Sequence, residues 1–219
     1  PTPLVWQEVL STFHSESQPW ELINGTHRLV GRTWGEGKPL YLLNSFSATA
    51  EMFALTIWLL REEYRCVVFD TFGDRRARGG TRMNDFAADV IAVADHHGDL
   101  SLNVFGASFG AAVGLQLALD APTRVSRLTL QHGFSKRRLS IAERLLSAWY
   151  WRSRRSLAQF PGRRRIQELN HRRWFPPFDG TRFEFLVDST GSIPLSDLAE
   201  KALAVNSFNV TNRLHELSC

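Results

Sequence analysis

A serine between two glycines is the feature of this sequence best suited to covalent chemistry. Gly106 and Gly110 bracket Ser108 in the pattern G-x-S-x-G. At a sharp strand-to-helix turn, such a serine exposes its hydroxyl above a sheet, where it can attack a carbonyl carbon. The hydroxyl then needs a base to take its proton and an acid to orient that base. Because an ordinary Gly/Ser turn could carry the same residues, the flanking segments must decide between the two interpretations.

The flanking segments predict the strand and the helix that this chemistry requires. An apolar stretch precedes the pentapeptide, and an Ala- and Leu-rich stretch without proline follows it up to Pro122. The predicted elements are strands at 40–43, 65–70 and 102–105, and helices at about 48–61, 84–97 and 111–119. Strands that alternate with helices at this interval predict parallel pairing. We therefore expect Ser108 to follow a central strand.

This order of elements resembles the α/β-hydrolase superfamily over most of the chain. Residues 121–130 resemble the passage from the helix after the serine into the next strand. The resemblance implies an α/β fold with a mostly parallel central sheet, helices on both faces and a helical cap insertion. It divides the chain into a core at 1–134, a cap at 135–199 and a return to the core at 200–219.

The resemblance also implies a serine hydrolase that cleaves ester, thioester or amide bonds of a small-molecule acyl substrate without a cofactor. The site residues that it implies are the nucleophile Ser108, the turn glycines Gly106 and Gly110, and the oxyanion-hole N–H groups of Phe46 and Phe109. Family enzymes carry the acid and then the histidine after the serine, and the tail 205–219 resembles the approach to the strands that hold them. We therefore expect both residues beyond Cys219, in a longer protein.

Two positions depart from the family pattern. Asn44-Ser45 stands where these enzymes usually carry His-Gly, and no carboxylate follows the strand that ends near Leu130. His132 could serve as a base there, although a structural role is the simpler interpretation. A weaker resemblance to maspardin-like proteins, carried by Phe105-Gly106-Ala107-Ser108, leaves an alternative open. On that interpretation the protein is an inactive relative that binds other proteins.

Composition argues against several other classes of protein. No apolar run approaches the roughly 20 residues that span a bilayer, and the phosphate-binding pattern G-x-x-x-x-G-K-[ST] is absent. The two cysteines form neither a disulfide framework nor a Cys-x-x-Cys site, and no zinc pattern is visible. The sequence therefore predicts a cytoplasmic protein without a metal, a cofactor or a transmembrane segment.

Arginines are concentrated in the predicted cap. Residues 136–173 hold twelve basic and two acidic side chains, within a chain of net charge +4. A solvated helical face, contact with an anionic membrane or nucleic acid, and steering of an anionic substrate all remain open. We expect no nucleic-acid partner and retain contact with an anionic surface. Ile141, Leu145 and Trp149 recur at helical spacing, which predicts one apolar face with the arginines mainly elsewhere, and we expect Trp149 in the cap core or pocket lining.

Overall fold

The computed structural model describes residues 5–25, 27–73, 81–174 and 179–219. The strands are β1 (Gln18–Asn24), β2 (His27–Trp34), β3 (Lys38–Leu43), β4 (Tyr64–Gly73), β5 (Leu102–Ala107) and β6 (Val125–Gln131). The α-helices are α1 (Trp6–Glu16), α2 (Ala54–Leu60), α3 (Met83–His96), α4 (Phe109–Asp120), α5 (Ile141–Tyr150), α6 (Arg163–Trp174), α7 (Gly180–Thr190) and α8 (Leu195–Ser207). No α-helix of these segments has the length and apolar character needed to cross a bilayer.

The described strands form one sheet in the order β1-β2-β4-β3-β5-β6. Strands β3, β4, β5 and β6 are parallel to one another. Strands β1 and β2 form an antiparallel hairpin, and β2 continues the sheet by antiparallel pairing with β4. Strand β5 lies between β3 and β6, so the serine follows an interior strand. The predicted mostly parallel sheet is confirmed.

Helices cover both faces of this sheet, as predicted. Successive residues of a strand point to opposite faces, so an uninterrupted apolar strand is buried on both sides. In β3, Tyr41 and Leu43 belong to the core that includes α3 and α4. Leu40 and Leu42 belong to the opposite core, which includes residues of α1 and α2. The parallel strands are thus enclosed on both sides.

The cap region differs from expectation in the orientation of α5. Ile141, Leu145 and Trp149 are 76, 67 and 81% exposed, so the expectation that Trp149 packs in the cap core or pocket lining is wrong. The side of α5 that faces α8 carries Ser147, which is buried, and Tyr150, which is partly buried. Spacing indicates which residues share a face, whereas the neighbouring helix decides which face it contacts. The division of the chain at residues 134 and 199 stays a prediction.

Candidate active site

Ser108 joins β5 to α4 in a conformation that few residues adopt. Its φ is 53° and its ψ is −105°, and holding a non-glycine residue at positive φ costs on the order of 1–3 kcal/mol. The Ser108 N–H donates to the Gln131 carbonyl at 2.8 Å, and the Ser108 carbonyl accepts from the N–H groups of Ala111 and Ala112 at 3.1 and 3.2 Å. These bonds hold a partly exposed serine between the end of β6 and the first turn of α4.

Gly106 and Gly110 allow backbones to approach closely around this turn. A Cβ atom at Gly106 would lie 2.4 Å from the Gly110 carbonyl oxygen. A Cβ atom at Gly110 would lie 2.1 Å from the Leu43 carbonyl oxygen. Gly106 therefore permits contact between β5 and α4, whereas Gly110 permits contact between α4 and the end of β3. The start of α4 is held against two strands.

Phe46 and Phe109 lie side by side, one in the turn after β3 and the other at the start of α4. Their ring centroids are 6.2 Å apart in an edge-to-face arrangement. Lys201 reaches both residues from α8: its Nζ atom donates to the Phe46 carbonyl at 3.2 Å and lies 5.6 Å from the centre of the Phe109 ring. Lys201 thus links the two residues whose N–H groups are the predicted oxyanion donors. No local motif marks this lysine in the sequence.

Asp70 holds both ends of the turn that contains Phe46. Its Oδ1 atom accepts from Asn44 Nδ2 at 3.0 Å, and its Oδ2 atom accepts from the Ala50 N–H at 3.0 Å. Removal of the carboxyl from water raises the pKa of Asp70 to about 6, although both hydrogen bonds and the charge of Lys201 oppose the rise. Asn44, which replaces the usual histidine, therefore anchors the turn through its side chain.

Two cavities adjoin this turn. The smaller, of about 100 Å³, has both polar and apolar walls and is lined by Asn44, Asp70, Phe109, Glu200 and Lys201 among others. The larger, of about 430 Å³, lies between the turn and the cap, and Phe46 is in its wall. Its other walls are mainly apolar and include Leu146, Tyr150, Leu157, Phe160, Leu198 and Ala202. Only the larger cavity falls in the usual range for a small-molecule pocket, roughly 300–1,000 Å³. Ser108 is in the wall of neither cavity.

The histidines of the described chain do not complete a catalytic triad. No hydrogen bond joins the Ser108 hydroxyl to a histidine in these segments. His132 follows β6, is exposed and has a φ of 52°. His27 is buried against Asp89, with 2.7 Å between Nε2 and Oδ1, but its strand lies three positions from β5, or roughly 14 Å across the sheet. The described residues also contain no cluster of three or more potential metal ligands.

Several known proteins are similar to this chain. A protein named as a carbamate hydrolase, RutD, from Variovorax paradoxus is 35% identical over 82 residues, which are 36% of this chain and 31% of the relative. A 3-oxoadipate enol-lactonase from Acinetobacter baylyi is 26% identical over 141 residues, or 63% of this chain and 50% of the relative. The matches therefore span half or less of these curated relatives.

A solved structure and a family comparison agree on the fold. The crystal structure of a hydrolase from Pseudomonas aeruginosa matches with a TM-score of 0.77 at 19% identity, covering 93% of this chain and 77% of that one. The sequence model of the α/β hydrolase fold matches residues 38–172, which is more than half of the chain and includes β3 to β6 and the turn at Ser108. The chain therefore belongs to the α/β-hydrolase fold family.

Proposed function

We propose that the protein is a serine hydrolase that cleaves ester, thioester or amide bonds through an acyl-enzyme on Ser108. The observation that carries the proposal is the strained, partly exposed serine at the junction of β5 and α4. Attack by its Oγ atom on a carbonyl carbon would place negative charge on the carbonyl oxygen. The N–H groups of Phe46 and Phe109 would stabilise that charge, and Phe109 is also the first residue of the 12-residue helix α4.

The larger cavity supports a substrate with an apolar part. Phe46 connects its wall to the predicted oxyanion hole, and the cap contributes mainly apolar side chains. The names of the two relatives refer to a carbamate and to an enol-lactone. Both compounds contain a carbonyl carbon bonded to a heteroatom, which is the group that a serine nucleophile attacks. We propose the same type of bond for this protein.

Ser108 needs a base to remove its proton, and the described residues place no such base in contact with Ser108. In family enzymes the acid and then the histidine follow the serine along the chain, and we retain them as residues beyond Cys219. His132 is the alternative base within the chain, because it directly follows Gln131, whose carbonyl accepts the hydrogen bond from the Ser108 N–H. Full activity of a His132→Ala variant would remove this alternative.

Labelling with a fluorophosphonate probe tests the nucleophile. We expect the probe to label the full-length protein and to leave Ser108→Ala unlabelled, since the probe phosphonylates an activated serine. Ser126→Ala is the matched control, because Ser126 is an exposed serine on the adjacent strand β6; it should be labelled as the unmodified protein is. Equal labelling of Ser108→Ala and the unmodified protein would reject the proposal.

A binding protein without activity is the second candidate function. The observation that favours it is the absence of the usual His-Gly pair at Asn44-Ser45, which is compatible with lost activity. A folded full-length protein that neither reacts with the probe nor hydrolyses aryl esters would favour this candidate.

A further inference from the structure

Helix α5 exposes its apolar side and packs through its more polar side. Ile141, Leu145 and Trp149 are spaced by four residues and are 67–81% exposed. At 100° per residue, the three side chains form one stripe that extends over about 12 Å of the helix. Ser147 and Tyr150 lie on the opposite side, toward the larger cavity and α8. The apolar stripe is therefore not part of the packing of α5 against α8.

Two arginines border this stripe. Arg144 lies beside it on the same helix, and Arg152 follows one turn after Trp149; both residues are exposed. We call Ile141, Leu145, Trp149, Arg144 and Arg152 the α5 surface. Its three apolar residues could enter an apolar layer while the two guanidinium groups remain in contact with anions. Helix α6 also exposes apolar side chains beside an arginine, since Ile166 and Leu169 are 50 and 61% exposed next to the exposed Arg165, but Ile166 lines the larger cavity and α6 is not part of the α5 surface.

The chemistry of the α5 surface fits an anionic lipid bilayer better than a nucleic acid or a second copy of this chain. Tryptophan is enriched at the boundary between headgroups and acyl chains, and arginine extends from its aliphatic stem to lipid phosphates. A nucleic acid would bind Arg144 and Arg152 but would gain little from exposed Ile141 and Leu145. A second copy that used the same patch would place like charges opposite one another.

We propose that the cap docks on anionic lipid bilayers through the α5 surface, with the apolar stripe in the interface and the arginines on the headgroups. This mode of binding is that of an amphipathic helix lying in the plane of the membrane. None of the five residues belongs to the predicted oxyanion hole or to the nucleophile turn. The proposal is consequently independent of the catalytic one.

Co-sedimentation with vesicles tests this inference on the purified full-length protein. We expect binding to phosphatidylcholine vesicles that contain phosphatidylserine, and little binding to phosphatidylcholine alone. Leu145→Ser and Trp149→Ser should each weaken binding by roughly tenfold or more. Arg144→Gln and Arg152→Gln should each weaken it by about fivefold, and this effect should fade between about 0.05 and 0.5 M salt.

Leu100→Ser is the matched control. Leu100 is 81% exposed, as Trp149 is, but it lies outside the cap, just before β5. This variant should bind vesicles as the unmodified protein does. The proposal is overturned if the protein does not bind anionic vesicles, if it binds neutral vesicles equally, or if the stripe variants bind normally. Self-association or nucleic-acid binding that depends on the α5 surface, without vesicle binding, would overturn it in favour of those partners.

Discussion

Replacing Asp70 with asparagine should change how the stability of the protein depends on pH. In the folded protein, burial raises the pKa of this carboxyl from its ordinary value of 3.8 to about 6, and Glu51 adds to the rise. Lys201 and the hydrogen bonds from Ala50 and Asn44 lower the pKa but do not cancel the effect of burial. The substituted asparagine would keep a polar side chain of similar size and would not titrate.

The direction in which stability changes with pH follows from the higher affinity of the folded state for the proton of Asp70. Between about pH 4 and pH 6 the folded protein retains the proton of Asp70 while the unfolded chain has lost it, so the free energy of unfolding decreases as pH rises. The difference between 3.8 and about 6 corresponds to about 3 kcal/mol. The free energy of unfolding of Asp70→Asn, minus that of the unmodified protein, should therefore rise by about 3 kcal/mol between pH 4 and pH 7.

Urea denaturation at a series of pH values measures this difference, provided that unfolding is reversible and the two proteins have equal m-values. Glu62→Gln serves as the control, since it also removes one carboxylate but at a side chain that is 85% exposed. A stability difference between Asp70→Asn and the unmodified protein that stays constant with pH would refute the reasoning. An equally large change for Glu62→Gln would show that burial of Asp70 is not the cause.

Two further substitutions test the geometry around the serine turn. Gly110→Ala should lower the free energy of unfolding by about 3 kcal/mol or more, because its Cβ would lie 2.1 Å from the Leu43 carbonyl oxygen. Gly98→Ala, at a φ of +73° with nothing within 4 Å, should cost only about 1–2 kcal/mol; equal losses in urea denaturation would contradict the steric argument. Lys201→Met removes the hydrogen bond to the Phe46 carbonyl and should lower kcat for an aryl ester about tenfold with little change in KM. An unchanged kcat would show that Lys201 does not position the turn.

The 48–61 segment shows how a distant contact changes a local prediction. Its composition predicts one helix, whereas the structure has a 3₁₀ turn at Ala50–Phe53 followed by α2. The N–H of Ala50 donates to Asp70, a residue 20 positions away in the next strand. That carboxylate satisfies an N–H group at the start of the turn, and a helical propensity summed over neighbouring residues does not include it.

The sequence alone determined the strand, turn and helix around Ser108 and the parallel arrangement of the sheet. Those features depend on residues that are close along the chain, namely an apolar strand, the small residues of the turn and an Ala- and Leu-rich helix. Only the tertiary structure decided which groups hold the Phe46 turn. Asp70 lies 26 residues after Asn44, and Lys201 lies 155 residues after Phe46. Their positions result from the packing of whole elements, as does the exposure of the apolar side of α5, and no local pattern specifies such packing.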